Sequence, residues 1–212
     1  MRTDDLITAV VHDEIVEPWT MKRSFALAIA LGVAVAGTTF FLAIGFRSDI
    51  AQASETIRFL FKFVITLGLT ATASGLVVRL ARPGVPTAAW GWAIACVPLV
   101  LVGGVIVELA LMPVSSWGPR LVGTNARFCL SLIPLLAIGP LGCFLLALRH
   151  GAPTRPRLAG AVAGLAASGI AATFYAANCT DDSPLFVATW YPLATGIVVL
   201  IGCGLAGRML RW

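Results

Sequence analysis

Apolar positions in this chain come in long runs, broken by short polar stretches. A helix needs ~20 mostly apolar residues to cross the hydrocarbon core of a bilayer, and six runs reach that length. They are predicted at about 24–46, 57–80, 88–112, 128–148, 158–177 and 185–207. The breaks are "FRSDIAQASE", "RLARPGVPT", "MPVSSWGPRLVGTNAR", "RHGAPTRPR" and "NCTDDSP". Their Arg, Pro, Gly and Asp residues end helices or solvate turns. The pattern predicts an all-α polytopic membrane protein: a six-transmembrane-helix bundle over 23–212, behind a short N-terminal segment, 1–22.

Composition removes the main alternative. The chain is 58% hydrophobic and 12% charged, against about 45–50% and 25% in soluble domains. Mean hydropathy is +0.92. No stretch is left for a separate soluble catalytic domain. The formal net charge of +5 is no sign of nucleic-acid binding, because Lys and Arg gather on the cytoplasmic loops of membrane proteins.

That bias sets the expected topology. Arg2, Lys22, Arg23, Arg79, Arg82, Arg149, Arg155, Arg157, Arg208 and Arg211 fall on one side; Arg47, Arg58, Lys62, Arg120 and Arg127 fall on the other. The richer side is cytoplasmic by the positive-inside rule, which places both termini on the cytoplasmic side of the membrane. Trp19, Trp90, Trp92, Trp117, Trp190 and Trp212 lie near span ends, where aromatic belts form. Acidic residues precede the first span, so the start is not read as a signal peptide.

Small residues repeat at four-residue spacing in the fifth span (Gly160, Gly164, Ser168) and the sixth (Gly202, Ala206). They suit close helix packing within the chain, or a dimer face. Pro98, Pro134, Pro140 and Pro192 are candidate kinks. Arg58, Lys62, Arg79 and Arg149 lie near span ends and are expected to snorkel to the interface. Glu108 is the one carboxylate inside a span. It lies about one turn from the outer end, where it can reach headgroups or pair with Arg120 or Arg127. The competing role is a proton or ion relay.

Two cysteines fall on the predicted outer face: Cys129 opens the fourth span and Cys179 ends the fifth. These spans are joined by the short turn 149–157, so their outer ends should adjoin. An oxidising compartment permits a disulfide there if the Cα atoms come within roughly 7 Å, and exposed thiols can also be oxidised stepwise. Metal binding is a second reading, with Asp181 and Asp182 as added oxygen ligands. It is poorly supplied, because structural zinc takes four ligands, mostly Cys and His, and His12 and His150 are on the other side. Two incidental cysteines are the third. Cys96, Cys143 and Cys203 lie inside spans, where thiols pack.

The N-terminal segment has a different pattern. Thr3 suits an N-cap, with Asp4 and Asp5 in the first turn where the helix dipole favours negative charge. Leu6, Ile7, Val10, Val11 and Ile15 share one face, and Pro18 is the expected stop. Through Glu17 the side chains carry one basic and five acidic groups, about −4 in all. Anionic lipid would repel such a helix. Its apolar stripe and charge suit a groove on a basic protein. A frayed leader, or a helix folded beneath the bundle's own Arg loops, are the other options.

"TDDLI" at the start, "RFC" at the fourth span, "HGAPTRPRLAGAVAGLAA" after it, "CTDDSPLF" after the fifth and the terminal "MLRW" resemble the NrsF family over nearly the whole chain. These are negative regulators of sigma F. The resemblance implies a polytopic inner-membrane anti-sigma factor, not an enzyme, that holds an extracytoplasmic-function sigma factor and contacts membrane lipid but no nucleic acid directly. It implies that Thr3, Asp4, Asp5, Leu6 and Ile7 form the sigma-binding motif, extended by Val10 and Val11 on the same face. It implies that Cys129 and Cys179 sense oxidant or metal stress. No cofactor is expected, unless a metal ion sits at Cys129, Cys179, Asp181 and Asp182. The alternative class is a small transporter or membrane thiol oxidoreductase, but no C-x-x-C pair is present.

Overall fold

The computed structural model describes residues 18–210, and these are helical, with no strand among them. The helices are α1 (Pro18–Ala43), α2 (Ile50–Ser54), α3 (Ile57–Leu80), α4 (Ala88–Leu111), α5 (Trp117–Val122), α6 (Ala126–Leu148), α7 (Pro156–Ala176) and α8 (Pro184–Met209). α1, α3, α4, α6, α7 and α8 are long and apolar enough to cross a membrane. They match the six predicted spans within a few residues.

The first boundary differs for a local reason. Pro18 opens α1; the N-terminal helix it was expected to stop lies outside the described residues. Proline suits a first helical turn, where its missing N–H has no intrahelical partner. At the far end the chain leaves α1 through Gly45, whose φ of +75° is one that side-chain-bearing residues rarely adopt. The sequence pattern also missed α2 and α5, both too short to announce themselves by periodicity.

α7 is the centre of the bundle. Fourteen of its residues are buried, most of them Ala or Gly. A Cβ on Gly160 would run into Ala206 and the Gly202 carbonyl, and one on Gly164 would lie 2.8 Å from the Val198 oxygen. On the opposite side, a Cβ on Gly169 would lie 2.8 Å from the Thr70 backbone nitrogen of α3. The small-residue repeats therefore serve packing inside the chain, as close backbone approach requires. α6 also packs on α7, and α1 packs on α6, where a Cβ on Gly32 would come 3.1 Å from the Pro140 Cα. α4 is outermost, and only Leu101 and Glu108 on it are buried.

The outer surface is apolar. Leu31, Phe41, Leu42, Leu99, Ile106, Leu111 and Leu200 all stand more than half exposed. A continuous apolar girdle on this scale is not covered by water in soluble proteins, and six spans of this length suit a bilayer instead. Cys96, expected to pack, stands exposed on α4, while Cys143 and Cys203 are half-buried.

Candidate functional site

Six helix ends meet at one end of the bundle, around the loop between α7 and α8. That loop, residues 177–183, reads Ala-Asn-Cys-Thr-Asp-Asp-Ser. Each of its three polar ties reaches a different part of the protein.

Asp182 receives two cations. Arg47 Nη1 donates to it at 2.9 Å, and Lys62 Nζ pairs with its other oxygen. Both cations also donate to the Cys179 carbonyl, Lys62 at 2.8 Å and Arg47 at 3.2 Å. Arg47 spreads its remaining donors over Asp49, with two 2.7 Å bonds. Asp49 is thereby held below the usual carboxyl range, and Arg47 is held more firmly charged, by its bonds to Asp49 above all. Lys62 is wholly buried. An unpaired ammonium there would be costly; Asp182, the Cys179 carbonyl and the Phe59 ring, 5.3 Å away, together replace its water.

Asp181 caps α6. One of its oxygens accepts from the backbone N–H groups of Thr124 (2.9 Å) and Asn125 (2.8 Å) and from the Asn125 side chain (2.9 Å). A carboxylate at a helix N-terminus satisfies orphan donors and opposes the dipole favourably. Gly123 makes this approach possible: its φ is +61°, and a Cβ would strike Phe186 and press on the Asp181 carboxylate.

Glu108 holds the start of α8. It accepts from Ser183 Oγ (2.7 Å) and the Leu185 N–H (3.1 Å), and pairs with Arg120 at 3.0 Å and Arg58 at 3.9 Å. A polar cavity of about 480 Å³ opens above, lined by Arg58, Arg120 and residues 180–183 among others.

Cys129 and Cys179 lie beneath these ties, at 0% and 1% exposure. They belong to one buried hydrophobic cluster. The Cys129 N–H bonds the Asn125 carbonyl, which also accepts from the Tyr175 hydroxyl at 3.3 Å. Burial raises the Cys179 thiol above its ordinary range, against a downward pull from Lys62. Both cysteines are free thiols.

Comparison with known proteins decides the family. Residues 10–212 match the family described as NrsF, negative regulator of sigma F. The chain belongs to the NrsF family. It is similar over its full length, and theirs, to the anti-sigma-F factor NrsF of Caulobacter vibrioides (38% identical) and to a protein of Azospira oryzae named "Probable anti-sigma-F factor NrsF" (32%). No solved structure matches.

For this NrsF-family chain, several sequence expectations are now placed. Cys129 and Cys179 both lie in the buried core, as buried thiols rather than exposed ones. Asp181 and Asp182 stand beside them with their carboxylates committed to the α6 N-terminus and to Arg47 and Lys62. Among the described residues no three His, Cys, Asp or Glu side chains are grouped as metal ligands. Glu108 pairs with Arg120, not Arg127, and is buried instead of reaching headgroups. Lys62 does not snorkel. It points inward because two acceptors of the 179–182 loop wait one turn inside the start of α3. Thr3, Asp4, Asp5, Leu6, Ile7, Val10 and Val11 lie outside the described residues.

The residues that pattern reading missed are Arg47, Tyr175 and the inward role of Lys62. One signal was available: Arg58 and Lys62 are four residues apart, hence on one helix face, and an ionisable residue inside a span is by default a candidate for function.

Proposed function

We propose that this protein is a membrane-bound anti-sigma factor that holds an extracytoplasmic-function sigma factor through its acidic N-terminal segment and releases it when Cys129 and Cys179 are chemically altered. Membership of the NrsF family over 10–212 is the observation that carries the reading.

The N-terminal segment supplies the output. Leu6, Ile7, Val10 and Val11 form the apolar stripe, and Asp4 and Asp5 meet basic residues of the sigma factor. Single exposed ion pairs contribute only ~0–1 kcal/mol, so burial of the stripe supplies most of the affinity and the acids supply selectivity. The cysteines supply the input, on the extracytoplasmic side, with both termini in the cytoplasm of an inner-membrane protein.

Oxidation of the pair balances simply. With hydrogen peroxide, the two thiols give up two electrons and two protons, one S–S bond forms, the O–O bond breaks and two waters leave. A hundredfold fall in sigma affinity then requires a coupling of about 2.7 kcal/mol between the two sites.

The test is affinity purification of the full-length protein from its native membrane, with mass spectrometry of what accompanies it. Wild type should carry a sigma factor, and Asp4→Ala with Asp5→Ala should lose it. Equal recovery from both would remove the N-terminal segment from the account, and recovery of no sigma factor from wild type would end the anti-sigma reading.

A further inference from the structure

The input and output just proposed lie at opposite ends of the bundle, and one contact set can join them. α1 follows the N-terminal segment directly in the chain. At its other end, the chain leaving α1 is bound to the cysteine loop by five hydrogen bonds. Arg47 Nη1 donates to the two Asp182 oxygens at 2.9 and 3.1 Å and to the Cys179 carbonyl at 3.2 Å. The Arg47 N–H donates to the Ala177 carbonyl at 3.3 Å, and Asn178 Nδ2 donates to the Gly45 carbonyl at 3.1 Å.

We propose that Arg47 is a positioning residue that clamps the exit of α1 to the 177–182 loop, so that rearrangement of the loop reaches the N-terminal segment as movement of α1. This inference rests on the sensing and anti-sigma reading above.

Three features favour α1 as the moving part. It is peripheral: Leu27, Leu31, Phe41 and Leu42 are mostly exposed, while Phe25, Ala28, Ala36 and Phe40 form a single buried stripe. Its contact with α6 is apolar, with Gly32 against Pro140 and Gly139 against Val35. Its neighbours are otherwise fixed: α7 is enclosed by α3, α6 and α8, and α6 is capped by Asp181.

The clamp is also sensitive to the cysteine. Arg47 and Lys62 grip the carbonyl of Cys179 itself. Drawing the Cys179 sulfur into a bond with Cys129 turns the attached peptide. The Arg47 bond to that carbonyl is already 3.2 Å, and a hydrogen bond at 3.6 Å is no longer one, so a shift of about half an ångström breaks it. Oxidation therefore acts on Arg47 without any large movement of the loop.

The experiment measures sigma factor co-purified with the full-length protein from native membranes, with and without hydrogen peroxide. Arg47→Gln should lose at least tenfold of its sigma factor without peroxide, and should do so equally when Cys129→Ser and Cys179→Ser are also present, because the clamp acts after the cysteines. Asp49→Asn is the control. It removes Arg47's other ion pair but leaves the loop bonds, so sigma factor should be retained; a general loss of structure around Arg47 would affect both variants alike. Asp182→Glu should keep sigma factor where Asp182→Asn releases it. If Arg47→Gln fails to accumulate in the membrane, Asn178→Ala removes one clamp bond alone and should lose about threefold. Full retention by Arg47→Gln, or by Asn178→Ala in its place, overturns the clamp while leaving the sensing reading intact. Peroxide release that persists in the double serine protein overturns the sensing reading, and the clamp with it.

Discussion

Replacing Lys62 by methionine tests the least expected part of the site. The side chain keeps most of its length and loses its charge. In the structure Lys62 is wholly buried and gives one bond of 2.8 Å to the Cys179 carbonyl and an ion pair to Asp182. A hydrogen bond involving a charged group contributes roughly 1.5–3 kcal/mol. Breaking a fully buried ion pair costs about 3–5 kcal/mol, mostly because the remaining charge is stranded. Asp182 would not be stranded, since Arg47 still binds it and its side chain is 20% exposed. Methionine also removes the ammonium's own desolvation penalty. The net loss should therefore be about 2 kcal/mol, below the full buried-pair figure. Reversible unfolding in mixed micelles with rising dodecyl sulfate, followed by tryptophan fluorescence, measures it. A change below about 0.5 kcal/mol, the range of ordinary surface substitutions, would mean that Lys62 does snorkel and that the inward network is wrong.

Two further outcomes follow from packing and burial. Gly160→Ala should destabilise the bundle by about 1–3 kcal/mol, the usual cost of overpacking, because the new methyl meets Ala206 and Gly202 of α8; Gly103→Ala, which meets nothing within 4 Å, should be neutral or slightly stabilising by the helical preference of alanine. The same unfolding assay reads both, and equal effects would contradict the α7–α8 contact. Cys179, with its thiol raised by burial, stays protonated where a free cysteine of pKa ~8.5 is already half ionised. Alkylation of Cys179 in a protein carrying it as its single cysteine should be slow at neutral pH and still climbing with pH where a free thiol levels off; a plateau at pH ~10 would show an exposed thiol.

The six spans were legible because hydrocarbon imposes one rule, length times hydrophobicity, that a sequence states openly. The small residues Gly160, Gly164, Gly202 and Ala206 were legible as close-packing positions, but the meeting of α7 and α8 through them was not. Nor was the polar hub. Its partners are far apart in sequence, Arg47 with Asp182 and Glu108 with Ser183, and only the meeting of six helix ends brings them together. Charge counting placed Lys62 by its distance from a span end and so sent it outward. The side chain instead follows the acceptors, because the cost of a buried ammonium depends on partners that only the fold supplies. The exposure of the cysteines was misjudged for the same reason: a helix end is solvent-facing only if no loop crosses it, and residues 177–183 cross it here.

The account stands most directly on one comparison. Full-length wild-type protein and the Cys129→Ser, Cys179→Ser protein are purified from native membranes before and after hydrogen peroxide, and the accompanying sigma factor is quantified. The account predicts that both carry it beforehand, that wild type loses at least tenfold on oxidation, and that the double serine protein keeps it. Equal release from the two, or equal retention, would contradict it.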